Sequence, residues 1–243
     1  MADLNTDVRY IKGIGEKKAQ ALNKLGVFSL YDLISYFPRK YEDRSVYKPI
    51  ALTADGETVC VCALVADTPR LTRIRHGLDI VKLRAVDESG VLDVTFFNQS
   101  YAKDNLHLGE SYIFYGKIEA RGARRAMTNP IYEREDGAHS VTGRIIPVYR
   151  VNAGLNQRTM LQSVRQGLDE CGDLIEDVLP DVLRCRCKLV QARYAYENIH
   201  FPTDFGALEL ARQRFIFEEF FVLACALNKM RGERVEQGGI VMD

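Results

Sequence analysis

The stretch Val91-Leu92-Asp93-Val94-Thr95-Phe96-Phe97-Asn98-Gln99-Ser100-Tyr101 decides the fold. In an extended chain successive side chains point to opposite faces, so Leu92, Val94 and Phe96 share one face while Asp93, Thr95 and Phe97 share the other. One of two adjacent phenylalanines must therefore leave the core face. Register with Leu92 and Val94 places Phe96 inside. Phe97 either packs beneath a loop or presents an open ring, with Asn98, Gln99 and Tyr101 beside it, on which a nucleobase can stack.

Segments of period two surround this stretch. Residues 58–67, 78–87, 91–97, 111–118 and 126–132 are five strand candidates separated by turn-rich or charged connections. Glu88-Ser89-Gly90 closes the second and third into a hairpin, with Gly90 free to take positive φ. With the longer connection at 98–110, five short strands fit a small Greek-key β-barrel of the oligonucleotide-binding (OB-fold) type. On such a barrel the second and third strands and the loops after strands one and four commonly form the nucleic-acid face. The first loop offers Arg70, Arg73 and Arg75, the fourth offers Arg121, Arg124 and Arg125, and the third strand delivers Phe96 and Phe97. Phosphates require positive charge and bases require a π-face, so basic loops flanking an aromatic platform suit a nucleic-acid strand. The competing reading has solvated arginines and two buried rings.

Helical patterns lie on both sides of the barrel. Near the N-terminus Gly13-Ile14-Gly15 makes a tight turn, and Ala19, Leu22 and Leu25 recur at spacing three before Gly26. This spacing resembles the second half of a helix-hairpin-helix, in which turn N–H groups and a helix N-terminus meet a DNA phosphate, with Lys12, Lys17 and Lys18 adding charge. The alternative is a pair of glycines that turns the chain into a core helix. Ser29 caps a second short helix with an apolar stripe at Leu30, Leu33, Ile34 and Phe37, ended by Pro38. The charged run Phe37-Pro38-Arg39-Lys40-Tyr41-Glu42-Asp43-Arg44-Ser45 reads as a polar hinge, or as a phosphate contact through Arg39 and Lys40. After the barrel, Leu161, Val164 and Leu168 mark one helix; Leu174, Ile175, Val178 and Leu179 mark a second, and residues 183–191 a third. Asn198 to Thr203 reads as a break around Pro202, with His200 as a turn residue. A long helix then runs from a cap at Asp204 to about Arg231.

The totals bound the function. The 243 residues include 33 Lys plus Arg against 33 Asp plus Glu, so any polyanion site must be a local patch. Six cysteines without an apolar leader favour a reducing, cytoplasmic setting, and no apolar run spans a bilayer. The Cys60-x-Cys62 and Cys185-x-Cys187 pairs lack zinc-site spacing and read as buried thiols, so no metal is expected. No paired carboxylates, Ser-His-Asp or Cys-His arrangement marks a small-molecule enzyme.

Taken in order, Lys12-Gly13-Ile14-Gly15, the run from Phe37 to Arg44, the barrel with Phe96-Phe97-Asn98, Arg144-Ile145-Ile146-Pro147-Val148-Tyr149, and Ala211-Arg212-x-Arg214-Phe215-x-Phe217-Glu218-Glu219 resemble the N-terminal region of RecG-type branch-migrating DNA helicases. The resemblance implies an α+β multidomain chain: a helical segment at 1–47, a wedge domain at 48–150, and a helical linker region at 151–243 leading to motor domains. It implies binding to branched DNA, both replication forks and Holliday junctions, in fork regression, recombination and repair. The contacts would come from Phe96, Phe97, Asn98, Arg73, Arg121, Arg124, Arg125, Lys12 and Lys17, and the long helix would brace the wedge against the motor. The family's ATP and Mg belong to that motor. Here there is no Gly-x4-Gly-Lys-Ser/Thr phosphate loop and no Asp-Glu-x-His box, as expected of a chain ending before the motor, which would be inactive alone. A self-contained OB-fold protein that coats single strands is the alternative.

Overall fold

The computed structural model describes residues 3–75, 77–136 and 142–236. Its elements in chain order are α1 (Glu16–Asn23), α2 (Leu30–Ile34), β1 (Lys40–Asp43), β2 (Thr58–Val65), β3 (Arg70–Arg75), β4 (Leu78–Val86), β5 (Val91–Phe97), α3 (Ala102–Asn105), β6 (Ser111–Arg121), β7 (Arg124–Thr128), β8 (Ile131–Arg134), β9 (Ile145–Val148), α4 (Gln157–Cys171), α5 (Asp181–Arg186), α6 (Ala192–His200) and α7 (Phe205–Glu236). The fold is mixed α+β and divides into two compact units, Glu42–Ile146 and Met1–Tyr41 with Pro147–Asp243. The three consecutive segments expected from sequence are therefore two units. The N-terminal and C-terminal helices share one core, because Leu22, Leu30, Leu33 and Ile34 pack with Met160, Val164 and Leu168.

The larger sheet has seven strands where five were expected, and β1 pairs with β9 in a separate two-stranded sheet. β2 pairs antiparallel with β4 and β6, β4 with β5, and β6 with β7, while β5 runs parallel to β7, so these five pairings form a closed cycle. β3 adds to β4 and β8 adds to β6. The fifth expected strand is split into β7 and β8 because Asn129 sits at φ 48° and Pro130 lacks an N–H for the ladder. Arg70–Arg75, expected as a loop, is strand β3; its pairing to β4 alone demands no apolar pattern. Val61, Val81, Leu83, Leu92, Val94, Phe114 and Met127 fill the interior. Each such side chain contributes about 1.5–3 kcal/mol on burial.

Gly90 serves the β4–β5 hairpin by close approach rather than positive φ: a Cβ there would lie 3.2 Å from Ile50 Cγ2. Asp87 organises the same turn, accepting from the N–H groups of Ser89 at 2.7 Å, Gly90 at 2.8 Å and Ile50 at 2.8 Å. Burial works against its charged form, but hydrogen bonds from Ser89, Ile50 and Gly90 hold the carboxyl below its usual range.

In the helical unit, Ser29 and Asp32 form a capping box that starts α2. Of residues 174–179, expected as a helix, Leu174 ends a single 3-10 turn (Gly172–Leu174) and 175–179 take no helical structure. Asp177 within them accepts from fully buried Arg214 of α7 at 2.6 Å and from Ala192 N–H at 3.1 Å. His200, expected in a turn, ends α6 and is fully buried, its Nδ1 2.9 Å from Tyr149 Oη and its Nε2 2.6 Å from Ile34 O. Asp204 caps α7, accepting from Ala207 N–H at 2.8 Å. All six cysteines are free; Cys60 and Cys171 are buried, Cys62 is half-buried, and Cys185, Cys187 and Cys225 are exposed, so the second Cys-x-Cys pair is not the buried one expected. Among the described residues no helix is long and apolar enough to cross a membrane, and no three His, Cys, Asp or Glu side chains gather as metal ligands.

Candidate nucleic-acid interface

The end of β5 divides the two phenylalanines as their register dictates. Phe96 is 0% exposed and meets the Tyr132 ring edge-on, with centroids 5.4 Å apart. It cannot stack on a base and leaves the set of expected contacts; its part is to support the strand from within. Phe97 is 38% exposed. Its N–H donates to Asn129 Oδ1 at 2.7 Å, so the residue that breaks β7 from β8 also fixes the backbone beneath the open ring.

Asn98 ends the strand. It takes φ 56°, which its short polar side chain tolerates better than most residues. Its N–H donates to Asp79 O at 2.8 Å, and its Oδ1 accepts from Asp79 N–H at 3.2 Å. Those bonds give Asn98 a structural duty in addition to an exposed position. The chain then turns into α3, where Tyr101 is 55% exposed and donates to Gln99 Oε1 at 2.8 Å. Tyr101, Asn105, Asn129 and Ile131 line an open cavity of about 440 Å³. The expected contacts do not include Tyr101; its place four residues after Phe97, beyond the strand, is the signal for it in the sequence.

The arginines divide between the two ends of the barrel strand. Arg73 opposes Asp79 across the β3–β4 pair, with Nε 3.5 Å from Oδ1, and the Asp79 backbone is bonded to Asn98. It therefore lies at the Phe97 end, largely exposed and partly neutralised. Arg121 and Arg124 flank the β6–β7 turn, where Gly122 takes φ 62°. Both are exposed, and as directly opposed like charges they repel, which a bound anion would relieve. Arg125 has other partners: Nε donates to Thr53 O at 3.0 Å and Nη1 to Gly122 O at 2.7 Å. It holds the turn in shape.

The parallel pairing of β5 and β7 sets Arg125 beside Leu92, five residues before Phe97. At about 3.3 Å per residue the arginine turn is roughly 17 Å along the strand from the open ring. The aromatic end is thus not flanked by two arginine loops, as its sequence predicts; Arg73 is at that end and the Arg121–Arg124 turn at the other.

Lys12 and Lys17 are exposed in the helical unit. Among the described residues only a 3-10 turn, Val8–Tyr10, precedes the glycines, Lys18 Nζ donates to Gly13 O at 2.9 Å, and acidic Glu16 occupies the first turn of α1. A phosphate at that helix N-terminus would meet a carboxylate, and α1 buries Ala19, Ala21 and Leu22 in the core.

The chain matches the family model described as RecG wedge domain over residues 7–170. It is 32% identical over 244 residues to the ATP-dependent DNA helicase RecG of Thermotoga maritima, covering 98% of this chain and 30% of that protein. To the ATP-dependent DNA helicase RecG of Bacillus subtilis it is 30% identical over 236 residues, covering 97% of this chain and 34% of that one. A solved structure described as RecG bound to a three-way DNA junction superposes with a TM-score of 0.86 at 29% identity, covering all of this chain and 33% of the other. The chain therefore spans about a third of the length of the relatives it matches. With the family model matched across both the helical N-terminus and the whole sheet unit, the chain belongs to the RecG wedge domain family.

Proposed function

We propose that this chain is the junction-binding portion of an ATP-dependent DNA helicase that acts on branched DNA, replication forks and Holliday junctions, in fork regression, recombination and repair. The observation that carries the reading is the half-exposed Phe97 ring on a fully buried partner, Phe96, at the rim of β5. An aromatic face on a rigid strand end stacks on the first unpaired base of an arriving arm and opposes its re-pairing, at about 1–3 kcal/mol per stacked base. Tyr101 offers a second face, and Asn98, Arg73, Arg121 and Arg124 contact the backbone, with Arg125 holding the turn and Lys12 and Lys17 adding charge from the helical unit. The five-strand pairing cycle serves as a Greek-key OB-fold barrel.

ATP and Mg act in motor domains that follow in the full-length helicase, and the protein works in the cytoplasm. The second half of α7 supports this division of labour: Phe220, Leu223, Leu227 and Met230 are exposed on a 32-residue helix, an apolar surface fit to brace the wedge against the motor.

The test is affinity for a three-way fork, a single strand and a plain duplex at one stated salt concentration. Preference for the fork over both is the expected result. Equal affinity for all three overturns the wedge reading.

A further inference from the structure

We infer that the helical unit carries a second DNA contact of its own, a phosphodiester-binding cleft built on Arg39 and Arg150. The proposal rests on the DNA-binding reading above but concerns a different place and a different chemistry. An open cleft of about 540 Å³ is lined by Leu25, Ser35, Tyr36, Phe37, Arg39 and Arg150, with no carboxylate among them. Both arginines are exposed, and among the described residues neither forms an ion pair.

Their backbones are fixed while their guanidinium heads stay free. Arg39 N–H donates to Val148 O at 2.9 Å, which ties the residue before β1 to the end of β9. Arg150 O accepts from Tyr36 Oη at 3.1 Å, and the Tyr36 ring stacks on Tyr149 with centroids 6.5 Å apart. A chain carrying no net charge has thus placed two unpaired cations on one anchored wall.

The donor set selects the ligand. An enclosed free anion is ordinarily cradled by converging backbone N–H groups, and here the Arg39 N–H is taken by Val148. What remains are two guanidinium forks, each matched to a phosphate in bidentate geometry, above an apolar and aromatic wall on which a sugar face can lie. Two forks on one open wall suit successive phosphates of a DNA backbone. This places the arginine of the charged run after Phe37 at a phosphate, one of the two readings its sequence allowed.

The test uses this chain as Arg39→Gln, Arg150→Gln, the double variant, and the double lysine variant, with a plain duplex titrated across a salt series. Each phosphate contact contributes about 0.9 to the slope of log K against log salt, so the double glutamine variant should be shallower by about 1.8, each single by about half of that, and the lysine pair close to wild type. Affinity should fall alike for plain duplex and fork, and the thermal midpoint should not move. An unchanged slope overturns the proposal. So does a loss confined to forks, or calorimetric binding of sodium pyrophosphate that the double variant abolishes while the DNA slope stays put, since that marks a site for free phosphate. Failure of the wedge reading would show differently, as a wild-type chain with no preference for forks.

Discussion

Acid should loosen the helical unit through one side chain, His200. The imidazole is fully buried, with Nε2 donating to Ile34 O at 2.6 Å and Nδ1 accepting from Tyr149 Oη at 2.9 Å. The Phe37 ring lies 5.8 Å from it by centroids, the Tyr149 ring stacks at 6.0 Å, and the Arg165 guanidinium sits over the adjoining Phe201 ring. Burial lowers the His200 pKa from 6.5 to about 4; the Ile34 carbonyl pulls the other way and Arg165 adds to the lowering. The unfolded chain therefore takes up the proton first. Stability from this site is complete above pH 6.5, falls as the pH drops, and levels off below about pH 4, where both states are protonated. At about 1.4 kcal/mol per tenfold change the full loss is about 3 kcal/mol, of which about 2 kcal/mol appears between pH 7 and pH 5. Urea unfolding followed by helical circular dichroism at those two pH values reads it, and His200→Gln, which retains a donor for Ile34 and does not titrate, should remove most of the difference. A native-state His200 titrating near pH 6.5 by NMR, or equal pH dependence in the variant, would refute this reasoning.

Phe96→Ala should cost about 3–5 kcal/mol of folding free energy, and Phe97→Ala well under half of that; comparable losses in chemical denaturation would mean that the ring at 97 is packed. Arg214→Ala removes a fully buried guanidinium shared by Asp177 and Glu218, and should cost about 3–5 kcal/mol and raise hydrogen exchange at 175–180. Gly90→Ala should lose about 1 kcal/mol by thermal melting, because a Cβ 3.2 Å from the buried Ile50 side chain leaves little room to yield.

Local patterns made the sheet unit legible and left longer-range features hidden. The alternation of Leu92, Val94 and Phe96 gave their common face, since a one-residue slip would move all three. Edge strand β3 escaped because Arg70, Thr72 and Ile74 need no buried partner, and the split of β7 from β8 depended on a left-handed Asn129 that composition does not announce. Val178 and Leu179 looked helical beside Leu174 and Ile175, yet Asp177 is held outside a helix by Arg214. His200 reads as a turn residue because no partner stands at catalytic or ligand spacing in the sequence, whereas its burial depends on Tyr149 and Ile34, far away in sequence. At the interface, the exposed ring was readable from register and the basic residues from composition. Which end of β5 the arginines occupy was not, because it follows from the parallel β5–β7 pairing.

The most direct test of the central claim is the ratio of fork affinity to plain-duplex affinity in the wild-type chain and in Phe97→Ala, at matched salt. Loss of a stacked base worth about 1–3 kcal/mol predicts that the ratio falls by about 5- to 150-fold while duplex binding and the thermal midpoint stay near wild type. An unchanged ratio in a folded Phe97→Ala chain would contradict the account.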